Sequence, residues 1–435
     1  MIPFPKRLGN VLAVGSCLCV LFYLLWFYGL PLSSTFIAPP ESQPPLADKR
    51  PPGPIYKNLS SIKTRPPISD NFPLAESLTS HGDLPEIPSW NRPPTPHVPE
   101  KTPLFIGFTR NWPLLQQCVL SYITAGWPPE DIYVVDNTGT MKSNAAPGKL
   151  TLQNPFYLNV QRLTDVFGVN VIYTPTLFAF AQLQNFYIFT AMEKGWDYFW
   201  WSHMDILAHT EEKHEETPFK SLYMRAVDTL REATSPDYLR DPNTGEKPDW
   251  AIQFFAYDWL ALNNVNAFLK MGAWDTFITY YKTDCDMIER FGMAGIKMPV
   301  ADAGRIADVG GSIDLNLLFR RKIDPKNPPK SMAELAKLPE DERGGAGFEQ
   351  LIKAIKVQTD VKLHGEEERN SWQYKQQGGA GEPFYRDPQG FETALQMAIE
   401  CGVKTYDEKW GHRECGLREA GLKLTDAWKV EHDWV

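Results

Sequence analysis

The chain has 435 residues and a formal charge of −9, which is room for one large domain or two ordinary ones with appendages. Hydrophobic residues make up 43% and aromatic residues 13%, so the chain can bury a large core and is not globally disordered. The acidic balance excludes a general nucleic-acid binder, which needs a basic face to neutralise phosphates. The six cysteines are too few and too scattered for a disulfide scaffold, and they form no CxxC pair or Cys/His cluster with the spacing of a zinc site.

The first thirty residues predict a membrane anchor. Lys6 and Arg7 precede a run without charged residues, 8–30. As a helix, residues 11–30 are about 30 Å long, which matches the hydrocarbon core and exceeds the apolar part of a cleaved signal peptide. The two basic residues keep the N-terminus in the cytosol. We therefore expect a single-pass type II protein of the Golgi or endoplasmic reticulum membrane, with a cytosolic tail (1–7) and a luminal catalytic domain.

The next segment, 31–102, predicts a Pro-rich luminal stem. Residues 31–103 hold 18 of the 37 prolines, and such a composition favours extended polyproline conformations over a packed core. Asn58 begins a glycosylation sequon, Asn-Leu-Ser, which agrees with a luminal location. Beyond the stem we expect a catalytic domain at 103–320 and a helical or irregular extension at 321–435 that packs on it.

From residue 103 onward, short apolar runs alternate with helical spacing. The pattern predicts strands at 104–108, 132–135, 169–173 and 196–201, with helices at 113–125 and 179–194 between them. Strands that alternate with helices predict an α/β fold, with a mostly parallel, Rossmann-like sheet flanked by helices. Ligands of such sheets bind at the carboxyl ends of the strands, where Asp136 and Asp205 lie.

These two acids have a structural and a functional interpretation. Taken alone, an Asp after a strand is more often a turn former or a helix cap. Taken together, Asp136 and Asp205 are what a nucleotide-sugar site needs. One accepts hydrogen bonds from the base or ribose, and the other holds a divalent cation that neutralises the diphosphate.

An ordered series of motifs resembles glycosyltransferase family 2, on the GT-A fold, and in particular its rhamnosyltransferase-like branch in fungal type II membrane proteins. The series has seven segments in chain order. They are a Val-Asp-Asn turn (135–140), a Phe-Ala helix start (179–185), a metal motif (203–205), a Gly-x-x-Asp-x-Phe segment (272–277), an Asp-x-Asp segment (283–287), an arginine (290) and a Gly-x-Lys segment (294–297). The resemblance covers about half of the chain, and its strength lies in the order of the motifs rather than in any one of them.

The resemblance implies an inverting glycosyltransferase that moves a sugar from a nucleotide-diphosphate sugar to a glycan or cell-wall hydroxyl. Asp284 is then the general base that deprotonates the acceptor. The other implied roles are donor-nucleotide binding by Thr109, Asp136 and Asn185, acceptor contacts by Asp286 and Trp274, and binding of a divalent cation, Mn²⁺ or else Mg²⁺, by Asp205, Asp308 and His203.

Three positions depart from the family pattern. His203 replaces the usual Asp or Asn of the metal motif, Thr283 replaces a Glu, and Asp308 replaces a His. A carboxylate is a good ligand for a hard cation, so the third change is compatible with metal binding. His203 binds the metal or the diphosphate, or is only a hydrogen-bonded strand-end histidine. The changes at His203 and Thr283 favour an alternative function, a non-catalytic accessory or glycan-binding relative.

Local patterns elsewhere have structural interpretations. Aromatic residues at 254–259 lie in a predicted buried strand, 251–257, although an acceptor-binding platform is the alternative. Thr283 is predicted as the N-cap of a helix over 284–291. Helical spacing also predicts helices at 348–357 and 391–401.

The cysteines leave the disulfide pairing open. Cys401 and Cys415 are one conceivable pair, but the four cysteines beyond the membrane segment allow three pairings. The sequence defines neither the donor sugar nor the oligomeric state.

Overall fold

The computed structural model describes residues 53–58, 66–95, 97–146, 148–364, 378–379 and 381–434. Contacts divide the chain into two units, Met1–Asn58 and Leu59–Val435. In the first unit, residues 53–58 are exposed and have no regular secondary structure, and Asn58 is among them. Within the described ranges no helix is both long and apolar enough to cross a membrane. The predicted anchor, 8–30, lies outside the described residues.

The second unit contains eight strands and eight α-helices among its described residues. The strands are β1 Leu104–Phe108, β2 Ile132–Asp136, β3 Asn170–Tyr173, β4 Tyr198–Ser202, β5 Ile206–His209, β6 Ile252–Phe254, β7 Leu260–Asn264 and β8 Arg305–Asp308. The helices are α1 Trp112–Thr124, α2 Phe180–Glu193, α3 Leu222–Thr234, α4 Val265–Met271, α5 Thr283–Met293, α6 Met332–Lys337, α7 Ala346–His364 and α8 Pro388–Trp410.

Six strands form the central sheet in the order β3-β2-β1-β4-β7-β6. The pairs β1–β2, β1–β4 and β2–β3 are parallel, whereas β7 is antiparallel to both of its neighbours. The strands predicted from apolar runs and the helices between them are present, so the expectation of a mostly parallel sheet flanked by helices is confirmed. A small second sheet pairs β5 with β8 in antiparallel register.

Helix α1 begins where a polar cap meets an apolar run. The side chain of Asn111 accepts a hydrogen bond from the Leu114 backbone N–H, and Pro113 occupies the first turn, where no N–H is needed. Twelve of its residues are buried, because the helix packs between the central sheet and the β5–β8 pair. This packing fixes the position of both sheets relative to each other.

The structure differs from the predicted stem over residues 66–102. Phe72 is fully buried and stacks on Phe319, with 6.0 Å between the ring centroids. Asp70 accepts hydrogen bonds from Arg162 and Gln116, both of them buried side chains of the folded unit. Among its described residues the segment contains only three short 3-10 helices, Pro73–Ser77, His81–Asp83 and Ser89–Asn91, but its few apolar residues still reach the core.

The C-terminal extension packs on the domain that precedes it. Tyr406 and Trp410 of α8 form a buried cluster with Ile278 and Leu417. Helix α7 contacts β8. The extension therefore contributes to the same folded unit, and two of its helices lie beside the carboxyl ends of the strands.

A disulfide joins Cys285 of α5 to Cys415, with 5.1 Å between the Cα atoms. The structure thus selects a pairing other than Cys401–Cys415. Among the described residues Cys118 is buried and unpaired, and Cys401 is exposed and unpaired. The choice depends on how the tail packs against α5, which spacing along the sequence does not reveal.

We expect the double substitution C285S/C415S to lower the free energy of unfolding by about 2–4 kcal/mol, because the bond closes a loop across 130 residues. Equilibrium denaturation of the oxidised protein measures the loss. Cys401→Ser is the matched control, since it removes an unpaired exposed thiol and should change stability by no more than about 0.5 kcal/mol. Equal stability of C285S/C415S and the unsubstituted protein would contradict the expectation.

Candidate functional site

A cleft of about 620 Å³ opens at the carboxyl ends of the parallel strands. Its walls include residues that follow β1, β2 and β4, and residues of α2, α5, α7 and α8. The polar side chains of the lining are Thr109, Arg110, Asn137, Gln184, Ser202, His203, Asp205, Tyr257, Asp258, Tyr280, Tyr281, Asp284, Asp308 and Lys362. A volume of this size is within the range of small-molecule sites.

Asp205 and Asp308 meet because of the small sheet. Asp308 ends β8 and pairs in register with Ile206, so the residue before β5, Asp205, lies beside it. The Val309 N–H also donates to the Asp205 carbonyl oxygen at 3.0 Å. The sequence prediction that these two acids lie together is consistent with this arrangement, although they are 103 positions apart in the chain.

A lysine from the C-terminal extension lies between the two acids. Lys362 Nζ donates to Asp205 Oδ2, and it lies 2.8 Å from Asp308 Oδ1. The lysine side chain is 3% exposed, so this ion triad is shielded from bulk water. Burial and the neighbouring Asp205 raise the pKa of Asp308, and the Lys362 ammonium opposes part of that rise.

The triad does not fit a divalent cation as the side chains are arranged. An ammonium has no lone pair to offer a metal. Two of the three candidate ligands, Asp205 and Asp308, already bind that ammonium. Across the described ranges, no group of three or more His, Cys, Asp or Glu side chains has metal-binding geometry. The predicted ligands Asp205 and Asp308 are thus brought together, but around a lysine.

His203 follows β4 and lines the same cleft. Its Nε2 lies 3.4 Å from Asp258 Oδ2, and its side chain is 33% exposed. Burial lowers the pKa of His203, but the carboxylates of Asp258 and Asp205 raise it, and the net direction is upward. The imidazole therefore faces Asp258, but its Nε2 atom is buried and makes no hydrogen bond to any described residue, so neither interpretation of His203 is decided by these contacts.

Asp284 lies in the first turn of α5 and faces the cleft. Tyr257 donates its hydroxyl to Asp284 Oδ2 at 3.0 Å. The predicted strand 251–257 ends at Phe254, and Tyr257 is 60% exposed in the cleft, so the buried-strand interpretation is wrong for this residue. Thr283 is the first residue of α5, with Lys282 at the N-cap position, so its prediction as the N-cap is also wrong.

Two predicted donor residues lie outside the cleft lining, whereas Thr109 is part of it. Asp136 is buried and accepts hydrogen bonds from the Thr138 backbone and hydroxyl and from Asn144. Burial raises the pKa of Asp136, against the lowering effect of these bonds. Asn185 exchanges two hydrogen bonds with the backbone of Trp274. Both side chains therefore form hydrogen bonds that stabilise the local structure. For Asp136 these bonds agree with its interpretation as a turn former.

The two predicted acceptor residues also lie outside the lining. Asp286 is 1% exposed and binds Arg290, Lys409 and Trp410. Trp274 is buried against Phe268 and Phe180. Asp284 and Asp286 are two positions apart in the first turn of α5, and such positions lie on different faces of a helix. Asp284 therefore faces the cleft, whereas the side chain of Asp286 points away from it.

Sequence reasoning missed the part of the site that the C-terminal extension supplies. Helix α8 presents three apolar residues to the cleft at helical spacing, Phe391, Leu395 and Ile399. Next to them, Glu392 binds the guanidinium of Arg110, which follows β1. The apolar spacing of α8 was visible in the sequence, but a lysine in the last turn of α7 has no local signal that separates it from a solvent-exposed one.

No protein-family model matches the sequence, and no curated protein matches it. A comparison of solved structures finds, among its matches, the mannosyltransferase PcManGT from Pyrobaculum calidifontis in complex with GDP-Man and Mn²⁺. The two chains are 14% identical, and the match covers 74% of this chain and 76% of that one at a TM-score of 0.27. At that score the likeness carries no argument about this protein. Its own sheet order, with three parallel pairs and a cleft at their carboxyl ends, is consistent with a GT-A-like fold.

Proposed function

We propose that this protein transfers a sugar from a nucleotide-diphosphate sugar to an acceptor hydroxyl. The observation that carries the proposal is the cleft, which collects Asp284, Asp205 and Asp308 from distant parts of the chain at one edge of the sheet. Polar groups that converge in a cavity of about 620 Å³ are typical of a small-molecule site. The order of the sequence motifs, which resembles glycosyltransferase family 2, agrees with that geometry.

The chemistry needs a base, a stabilised leaving group and a site that excludes water. Asp284 takes the proton of the acceptor hydroxyl, whose oxygen attacks the anomeric carbon as the bond to the diphosphate breaks. A base on the face opposite the leaving group gives inversion. The hydroxyl of Tyr257, 3.0 Å from Asp284 Oδ2, orients that carboxylate. The apolar side of α8 limits the entry of water.

Aromatic side chains at the rim support a carbohydrate acceptor. Tyr257 and Tyr281 line the cleft and are 60% and 53% exposed. Exposed aromatic rings are costly to hydrate, and their faces stack on the apolar faces of sugars. The rim therefore supports the acceptor-platform interpretation that the sequence offered as an alternative for the residues around Tyr257.

The cellular part of the proposal rests on the sequence. The charge pattern around residues 8–30 supports a type II anchor in the Golgi or endoplasmic reticulum membrane, and the exposed Asn58 supports a luminal, glycosylated stem. The acceptor is then a glycan or a cell-wall polymer of the secretory pathway.

A binding experiment tests the proposal. We expect full-length protein in mild detergent to bind either uridine or guanosine diphosphate in calorimetry, and Thr109→Phe to weaken that binding at least about tenfold by filling the cleft. Thr164→Phe is the matched control, because Thr164 is exposed elsewhere and its replacement should leave binding unchanged. If folded protein binds neither nucleotide, or if both variants bind equally well, the proposal is wrong.

A second candidate function is a non-catalytic accessory or glycan-binding protein. The observation that favours it is that a predicted donor residue and a predicted metal ligand already bind other side chains. Asp136 accepts a hydrogen bond from Thr138 within its turn, and Asp205 binds Lys362. This candidate predicts glycan binding at the aromatic rim without any nucleotide affinity, so the same titration separates the two functions.

A further inference from the structure

The cleft contains few positive charges. Among the described residues that line it, Lys362 and Arg110 carry permanent charges, and Arg110 is bound to Glu392. Four carboxylates face the same space, those of Asp205, Asp258, Asp284 and Asp308. Lys362 is paired as well, but it lies between Asp205 and Asp308, where the sequence predicts the cation that binds the diphosphate.

The position of Lys362 is built into the fold. Gly310 follows β8, and a Cβ atom there would lie 3.0 Å from both the N and the Cα of Lys362. The Gly310 N–H donates to the Gln358 carbonyl oxygen at 3.0 Å, which holds the last turns of α7 against the strand end. The absence of a side chain at Gly310 thus lets α7 approach closely enough for Lys362 to reach Asp308.

We propose that Lys362 is the resident cation of this site and binds the diphosphate of the nucleotide sugar without a divalent metal; the inference rests on the proposed function. The ammonium occupies the space between Asp205 and Asp308 that a divalent cation would need. Its three N–H groups redistribute between the carboxylates and the phosphate oxygens when the ligand binds. The two acids hold the lysine in place, so they act as positioning residues and not as metal ligands.

The charge of the triad sets the expected strength of binding. Two carboxylates and one ammonium carry a formal charge of about −1, whereas the same acids with a divalent cation would be neutral. The triad as a whole therefore does not attract the diphosphate, so a moderate affinity rests on the N–H donors of Lys362 together with the nucleoside and the sugar. Added salt should change this affinity only slightly, because the triad is buried.

The first arm of the test measures metal binding alone, through the electron paramagnetic resonance signal of free Mn²⁺. We expect no Mn²⁺ binding by the full-length protein. We expect Lys362→Ala to bind Mn²⁺ at least about tenfold more tightly, because two carboxylates lose their cation. Lys356→Ala is the matched control, since Lys356 is exposed on the same helix. Tight Mn²⁺ binding by the unsubstituted protein would overturn the inference.

The second arm measures uridine or guanosine diphosphate binding by calorimetry in excess EDTA and in Mn²⁺. We expect the unsubstituted protein to bind equally well in both, Lys362→Ala to lose at least about tenfold in EDTA, and Lys362→Arg, which keeps the charge, to lose no more than about threefold. Binding that requires Mn²⁺ overturns the role of Lys362 and leaves the proposed function intact. Absence of nucleotide binding in both conditions overturns both proposals. If Lys362→Ala does not fold, the nucleotide affinities of the unsubstituted protein in EDTA and in Mn²⁺ still test whether binding needs a metal.

Discussion

We expect the replacement of Asp284 by Asn to lower the rate of sugar transfer by about 100- to 10,000-fold, because the acceptor would lose its proposed general base. Donor binding stays within about twofold, since an amide of the same shape keeps the wall of the cleft. The measurement is the release of nucleoside diphosphate from the donor whose nucleotide binds, with short glycans as acceptors. Asp284 lines the cleft, and its side chain accepts the hydroxyl of Tyr257.

Two further variants test whether the loss of activity is specific to the carboxylate of Asp284. Tyr257→Phe keeps the ring but removes the hydrogen bond to Asp284, so it should slow transfer by no more than about tenfold. Asp302→Asn changes an exposed acid that does not line the cleft and should leave the rate unchanged. Full activity of a folded Asp284→Asn protein would show that Asp284 is not the base.

Replacing Asp286 by Ala lowers the free energy of unfolding by about 3–5 kcal/mol, the usual cost of stranding a buried charge. Its carboxylate is 1% exposed and accepts hydrogen bonds from Arg290 at 2.8 Å, Lys409 at 2.6 Å and the Trp410 indole at 2.9 Å. Because two of these partners belong to α8, the C-terminal extension should also become more sensitive to protease. Equilibrium denaturation and limited proteolysis measure the two effects.

An exposed ion pair in the same protein is the control for this prediction. Asp249 binds Lys270, and the side chains are 57% and 60% exposed. Asp249→Ala should therefore cost no more than about 1 kcal/mol, as solvent screens such pairs. Comparable losses for Asp249→Ala and Asp286→Ala would mean that burial does not explain the role of Asp286.

The site was only partly predictable from the sequence. Asp205, Asp308 and Asp284 follow motifs whose order is visible in the chain, and all three line the cleft. Asp136 and Asn185 carry equally good motifs, but their side chains are satisfied by neighbours, Asn144 and the Trp274 backbone. A motif fixes which residue follows a strand, whereas the direction of its side chain depends on local hydrogen bonds.

The residues that the C-terminal extension contributes to the cleft were harder to predict from the sequence. The apolar spacing of α8 predicted a helix, but spacing does not say whether its apolar face covers core or cleft. The pairing of Cys285 with Cys415 and the contact of Asp286 with Lys409 likewise depend on where the extension packs. Each of these contacts joins positions more than a hundred residues apart, beyond the reach of local patterns.

The sequence by itself determined the alternation of strands and helices, and with it the parallel sheet and the edge at which the cleft opens. Apolar periodicity has this power because it reflects the burial of one face of each element. Only the tertiary structure decided which cation lies between Asp205 and Asp308. Lys362 reaches them because Gly310 lets α7 approach the end of β8, and a close approach between distant segments leaves no periodic trace in the chain.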